Sequence, residues 1–245
     1  MKHIDEVRNI VYLFDALDKI NCASEADLRD ANRLADIIRS AGLSFDERRL
    51  YGADNAFMNN SIEGVWQIPT QLAPCLIALS YYSISSVIEI GTWSGWTTSL
   101  LGGYLFRFNP NIRILTIDLA NGFVAYQLVR KRLPIQFHRG TSADFRNRIF
   151  DLAIIDGDHR YSACREDYEN VGRNSGICML HDINDRYVLD HEPNDGGVPR
   201  LWNELIAQTR RPSETMEFLH HSELDSIMGL GLLITRNAKL RSGKI

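Results

Sequence analysis

The sequence predicts an α/β fold: a doubly wound, mostly parallel seven-stranded sheet with an antiparallel edge strand and an N-terminal helical extension. Three observations predict it. Short, near-continuous apolar runs alternate with helix-period stretches, as strands covered on both faces by crossover helices require. Two glycines, Gly91 and Gly95, follow the first such run. Run after run then ends in a polar or acidic residue.

The elements follow in order. Ile10, Val11, Leu13, Phe14 and Leu17 recur at near-helical spacing, and Ala31, Leu34, Ala35 and Ile38 do so again. Gly42 is the expected stop of that second helix. The polar segment Tyr51 to Glu63, with its Asn59-Asn60 pair, reads as a loop lining a site or serving as a lid. Pro69 and Pro74 mark the start of a helix running to Ser80. Strands are expected over 86–90, 113–118, 135–138, 150–156 and 176–181. Helices are expected between them over 95–107, 123–132 and 161–171. A helix over 198–208 precedes two last strands, 216–220 and 227–235, which supply the antiparallel edge. Residues 1–60 are assigned to the helical extension and 61–245 to the sheet domain.

Composition narrows the function. The formal charge is -4, from 27 basic and 31 acidic side chains, which disfavours a nucleic-acid binder. Cys22, Cys75, Cys164 and Cys178 form no CxxC pair, so neither a zinc site nor a disulfide framework is expected. The charged N-terminus lacks the apolar run of a signal peptide, and no run is long enough to span a bilayer. A cytoplasmic protein with no membrane partner is the expectation.

Ligands of open α/β sheets bind outside the carboxyl ends of the strands. Here those ends carry Glu89-Ile90-Gly91-Thr92-Trp93-Ser94-Gly95, then Asp118, then Gly140-Thr141-Ser142, then Asp156-Gly157-Asp158-His159, then His181-Asp182. Gly91 permits a tight turn, and Gly95 leaves room above the next helix. Asp118 is suited to grip ribose hydroxyls with two acceptor oxygens. The glycines are spaced GxxxG rather than GxGxxG, and Glu89 would repel a pyrophosphate. A cationic nucleoside suits the turn better than a dinucleotide.

These residues resemble class I S-adenosylmethionine-dependent methyltransferases, which have a Rossmann-like fold. Val87 to Thr92 with Gly95 is similar to that family's first motif, and Asp118 to its acid after the second strand. Ile154-Ile155-Asp156-Gly157-Asp158-His159-Arg160-Tyr161 and Leu180-His181-Asp182 resemble small-molecule O-methyltransferases of the catechol, sugar and cephalosporin hydroxylase-related kinds. The resemblance spans roughly residues 60 to 235.

It implies S-adenosylmethionine as cofactor, held by Glu89, Gly91, Thr92, Ser94, Gly95, Asp118, Thr141, Ser142 and Asp156. It further implies a divalent metal, magnesium or manganese, on Asp156, His181 and Asp182, with His159 as catalytic base. The region of Trp66 and Gln67 lies beside cofactor and acceptor in similar enzymes. Two departures bear on the metal. Ile183 stands where catechol-type enzymes have asparagine, and His181 where the sugar enzymes have an acid. Imidazole is a poor magnesium ligand but suits manganese, iron or zinc.

The expected acceptor is a hydroxyl of a small molecule, a sugar or natural product. The polar stretch Asn184 to Pro199 is a candidate flap over it, and the N-terminal helices offer a homo-oligomer contact. Two other classes stay open at this point: an NAD-dependent oxidoreductase and a non-catalytic nucleoside-binding module.

Overall fold

The computed structural model describes residues 2–45, 64–120, 126–184, 195–209, 214–219 and 228–241. The expected loop over 51–63, most of the expected flap after Asn184, and residues 123–125 of the expected helix lie outside the described residues.

The N-terminal region forms α1 (Lys2–Cys22), α2 (Glu25–Leu28) and α3 (Ala31–Ser40). Leu13, Ala16, Leu17 and Ile20 recur at helical spacing on α1 and are buried. Val11, on the other side, is 60% exposed. Asp30 starts α3 by accepting from the backbone N–H of Asn32 and Arg33, each at 3.0 Å. Gly42 follows the last turn of α3 with a φ of 89°, the left-handed conformation that ends helices at glycine.

The sheet region begins with α4 (Pro69–Leu79), which carries Pro69 in its first turn and tolerates Pro74 within. There follow β1 (Ser86–Ile90), α5 (Trp96–Phe108), β2 (Arg113–Asp118), α6 (Tyr126–Val129), β3 (Ile135–Arg139) and β4 (Leu152–Ile155). The chain continues through α7 (Tyr161–Asp167), which passes into a π turn over Tyr168–Gly172, and then β5 (Ile177–His181). It ends in α8 (Gly197–Gln208), β6 (Thr215–Phe218) and β7 (Leu230–Ile234).

The strand order is β3-β2-β1-β4-β5-β7-β6. The first five strands pair in parallel, while β7 pairs antiparallel with both β5 and β6. The antiparallel edge expected from the last two runs is thus present, with β7 inserted between β5 and β6. The order of connection reverses between β1 and β4. That reversal opens a crevice at the carboxyl ends of these two strands, where ligands of such sheets bind.

The N-terminal helices do not stand apart from the sheet. Leu13, Leu17, Leu28, Leu34 and Ile38 share one apolar cluster with Leu100, Tyr104, Val87 and Ile114. Trp96 is buried in it and donates from Nε1 to the carbonyl of Ala41 at 3.0 Å. The helices therefore buttress α5, the helix whose N-terminus faces the crevice.

Candidate active site

The crevice begins at the turn after β1. Gly91 has a φ of 94°, and a Cβ there would lie 2.0 Å from the carbonyl oxygen of Asp156. Only glycine lets the β1 and β4 ends approach this closely. Gly95, with a φ of 78°, caps the N-terminus of α5. Between them Trp93 also adopts positive φ and is 61% exposed.

Asp118, at the end of β2, fastens this turn. Its Oδ2 accepts from the backbone N–H of Thr92 at 3.0 Å and of Trp93 at 2.9 Å, and its Oδ1 accepts from Ala120 at 2.9 Å. A carboxylate offers about four lone-pair sites, so these three bonds leave acceptor capacity.

Other residues expected to line the cofactor take different stations. Glu89 is buried beneath the turn, where it accepts from the hydroxyls of Thr98 and, at 2.6 Å, Thr116. Burial raises its pKa to about 7, against the lowering pull of the two hydroxyls. Through these bonds it ties the end of β1 to α5 and β2. The Thr92 hydroxyl is buried against that of Thr116 at 2.6 Å. Ser94 donates to the carbonyl of Gly64 at 3.2 Å. After β3, Gly140 donates to the Asp118 carbonyl at 3.1 Å, which sets the next loop beside the turn. Thr141 caps the short helix there, and the buried Ser142 accepts from Asn170 at 2.9 Å.

The ends of β4 and β5 bring the expected metal and base residues together. Asp156, His159, His181 and Asp182 each offer a ligand atom, and these atoms all lie within 4.8 Å of one another. His181 Nδ1 lies 3.1 Å from Asp156 Oδ1 and 3.1 Å from Asp182 Oδ2. Neither contact has hydrogen-bond geometry: among the described residues, both nitrogens of His181 and Oδ1 of Asp182 are buried without a hydrogen-bond partner. His159 Nε2 lies 3.1 Å from Asp182 Oδ2 and 3.8 Å from Asp156 Oδ1. Its side chain is 42% exposed, so it stands at the mouth of the cluster while His181 and Asp182 form the floor.

Charge sets the protonation of this group. Burial opposes a charged His181, but the carboxylates of Asp156 and Asp182 outweigh it and hold its pKa well above the ordinary value. Asp156 is held low: burial would raise it, and the two imidazoles override that. Asp182 has positive φ, at 59°, a conformation uncommon outside glycine that aspartate adopts more readily than most residues and that concentrates at functional sites. Buried donors that converge without partners fit a cation-binding site.

One further residue completes the wall. Gln67 is buried; its Nε2 donates to Asp156 Oδ2 at 2.7 Å, and its Oε1 accepts from the Thr97 hydroxyl. It lies 89 positions from Asp156, so nothing local in the sequence reveals the pairing. Asp158 turns to solvent and pairs with Arg160, accepting from its backbone N–H at 3.0 Å. It shapes the turn before α7 instead of joining the cluster.

Comparison with known proteins bears on the fold. Residues 88–183, from β1 to just beyond β5, match the family model described as "Methyltransferase domain". No curated protein matches the chain. Among solved structures, an O-methyltransferase from Bacillus cereus in complex with SAH is 16% identical with a TM-score of 0.53, over 87% of this chain and 93% of that one. The O-methyltransferase TomG from Streptomyces achromogenes, involved in tomaymycin synthesis and in complex with SAM, is 17% identical with a TM-score of 0.52, over 70% and 82%. At these identities the likeness is one of fold. No helix among the described residues is long and apolar enough to cross a membrane. The match to the methyltransferase-domain model thus spans β1 to β5, and the likeness of fold extends over most of the chain.

Proposed function

We propose that this chain transfers a methyl group from S-adenosylmethionine to a hydroxyl of a small molecule, in the crevice between β1 and β4. The observation that carries the reading is a juxtaposition. The turn fastened by Asp118 and the Asp156–His159–His181–Asp182 cluster meet at the point where Gly91 touches the Asp156 carbonyl. A nucleoside seat and a proton acceptor thereby share one rim.

When bound, the cofactor supplies a methyl group already activated by its sulfonium, and a divalent ion on Asp156, His181 and Asp182 supplies positive charge beside the acceptor oxygen. The chain must do the rest. Asp118 offers acceptor oxygens to the ribose. Gln67 holds one oxygen of Asp156, so that the other faces His181. His159, exposed at the mouth, takes the hydroxyl proton on its other ring nitrogen, Nδ1, while Asp182, 3.1 Å from Nε2, orients the ring. Orientation of this kind supplies up to roughly 7–11 kcal/mol in favourable cases, and a general base adds about 10²–10⁴-fold. The net charge of -4 favours a small acceptor over RNA.

Calorimetry with S-adenosylhomocysteine tests the reading. The expected result is 1:1 binding that Asp118→Ala weakens. Tight binding of NAD(H) with no affinity for S-adenosylhomocysteine would reverse the assignment.

A further inference from the structure

The chemistry of the buried donor atoms carries one step more. We infer that the floor of the cluster selects a first-row transition ion over magnesium, with His181 as the selecting ligand. The inference rests on the methyl-transfer reading for where the ion acts, but its physical basis is the donor set alone.

Three donors converge on that floor. Asp156 Oδ1 and Asp182 Oδ2 each lie 3.1 Å from His181 Nδ1. Ligand atoms about 2.0–2.2 Å from one small divalent ion stand roughly 2.8–3.6 Å apart, so these separations admit such an ion and the chemistry of the donors decides which. Calcium, with bonds of about 2.3–2.6 Å, would require wider spacing. One of the three atoms is an imidazole nitrogen. Magnesium holds oxygen ligands and water in a near-ideal octahedron, whereas imidazole suits manganese, iron, nickel and zinc.

The floor is also built to persist. His181 and Asp182 are 4% and 3% exposed, so water does not compete freely for their polar atoms. Gln67 ties down Oδ2 of Asp156 and leaves Oδ1 toward His181. Neither nitrogen of His181 has a hydrogen-bond partner among the described residues. A buried imidazole that served only as a structural hydrogen-bonding group would make such bonds.

The test uses the full chain stripped with EDTA. Calorimetry with zinc, manganese and magnesium chlorides, together with the electron paramagnetic resonance of bound manganese, reads affinity without reference to turnover. The expected order is zinc tighter than manganese tighter than magnesium. Zinc should exceed magnesium by about a hundredfold or more, following the ordinary preference of nitrogen-bearing sites. His181→Asp, which makes the floor all oxygen, should shrink that ratio by at least about tenfold, or ~1.4 kcal/mol. Gln67→Ala should weaken all three ions and keep their order. His138→Ala, on β3 and paired with Asp144, should change nothing.

Magnesium binding as tightly as manganese would overturn the inference. So would a wild-type chain that binds no ion, or a zinc-to-magnesium ratio that His181→Asp leaves unchanged. S-adenosylhomocysteine titrated into the same stripped sample separates the two readings. A chain that binds the nucleoside but none of the three ions overturns the selectivity and leaves methyl transfer standing; a chain that binds the ions selectively but not the nucleoside supports the selectivity and removes the methyl-transfer reading.

Discussion

Asp118 Oδ2 holds the backbone N–H of Trp93 at 2.9 Å, so the end of β2 fixes the shape of the turn after β1. The same carboxylate is the proposed ribose ligand, and its two duties are coupled. Asp118→Ala should remove the ligand and loosen the turn together. A hydrogen bond to a charged group contributes about 1.5–3 kcal/mol, so the expected loss in S-adenosylhomocysteine affinity is about 10- to 150-fold. Asp118→Asn keeps one acceptor oxygen and should fall between. Calorimetry reads both, and an unchanged affinity in Asp118→Ala would remove the nucleoside from this turn.

Glu89 supplies a pH-dependent prediction independent of any ligand. Burial raises its carboxyl to about 7, from an ordinary value of 4.5. Between those values the folded state binds more protons than the unfolded state, so stability falls as pH rises through that window. The loss attributable to Glu89 is roughly 3 kcal/mol across it. Glu89→Gln cannot ionise and should lack this component. The difference in melting temperature between variant and wild type should move in favour of the variant from pH 4.5 to 7.5. A difference that stays flat across that range would show that Glu89 titrates alike in the folded and unfolded chain.

The glycine turn permits a paired comparison. Gly91 and Gly42 both have positive φ, at 94° and 89°. A Cβ at Gly42 meets nothing within 4 Å, whereas one at Gly91 meets the Asp156 carbonyl at 2.0 Å. Gly42→Ala should therefore cost only backbone strain, on the order of 1 kcal/mol. Gly91→Ala adds a clash with backbone that cannot rotate away, and overpacking adds about 1–3 kcal/mol. Denaturant unfolding should rank the two in that order, and Gly91→Ala alone should weaken S-adenosylhomocysteine binding. Equal losses of stability would mean that the β1 and β4 ends are not held this close in solution.

Much of this was legible in the residues themselves. The strands ran apolar because both faces are covered, and Asp118, Asp156 and His181-Asp182 stood out because each ended such a run. What the spacing did not reveal depends on contacts between distant segments. Glu89 sits where a ligand-facing acid would, but the hydroxyls of Thr98 and Thr116 draw it under the turn. Gln67 acquires its station on Asp156 only once α4 packs against the sheet. The apolar stripe on α1 was visible, but its docking against α5, with Leu17 filling the space beside Gly103, has no local signature. The π turn after α7 likewise reads in the sequence as plain helix.

His159 decides whether the cluster can act as a base. Burial lowers its pKa, but Asp156 and Asp182 outweigh burial and raise it above the ordinary 6.5. In the metal-free chain its imidazole should therefore titrate above that value by NMR, and Asp182→Asn should bring the midpoint down. The sign for stability follows. A raised folded pKa gives stabilisation that is fully present below the unfolded value and is lost as pH rises through the folded one. A cation on the floor of the cluster repels the imidazolium, so added manganese or zinc should lower the midpoint and free the ring to accept a proton. Once an acceptor is in hand, His159→Ala should lower turnover by about 10²–10⁴-fold while leaving S-adenosylhomocysteine affinity within about twofold. It should also abolish the acidic limb of the pH–rate profile. Full turnover in His159→Ala would transfer the proton to another acceptor and leave His159 as a gatepost of the cluster.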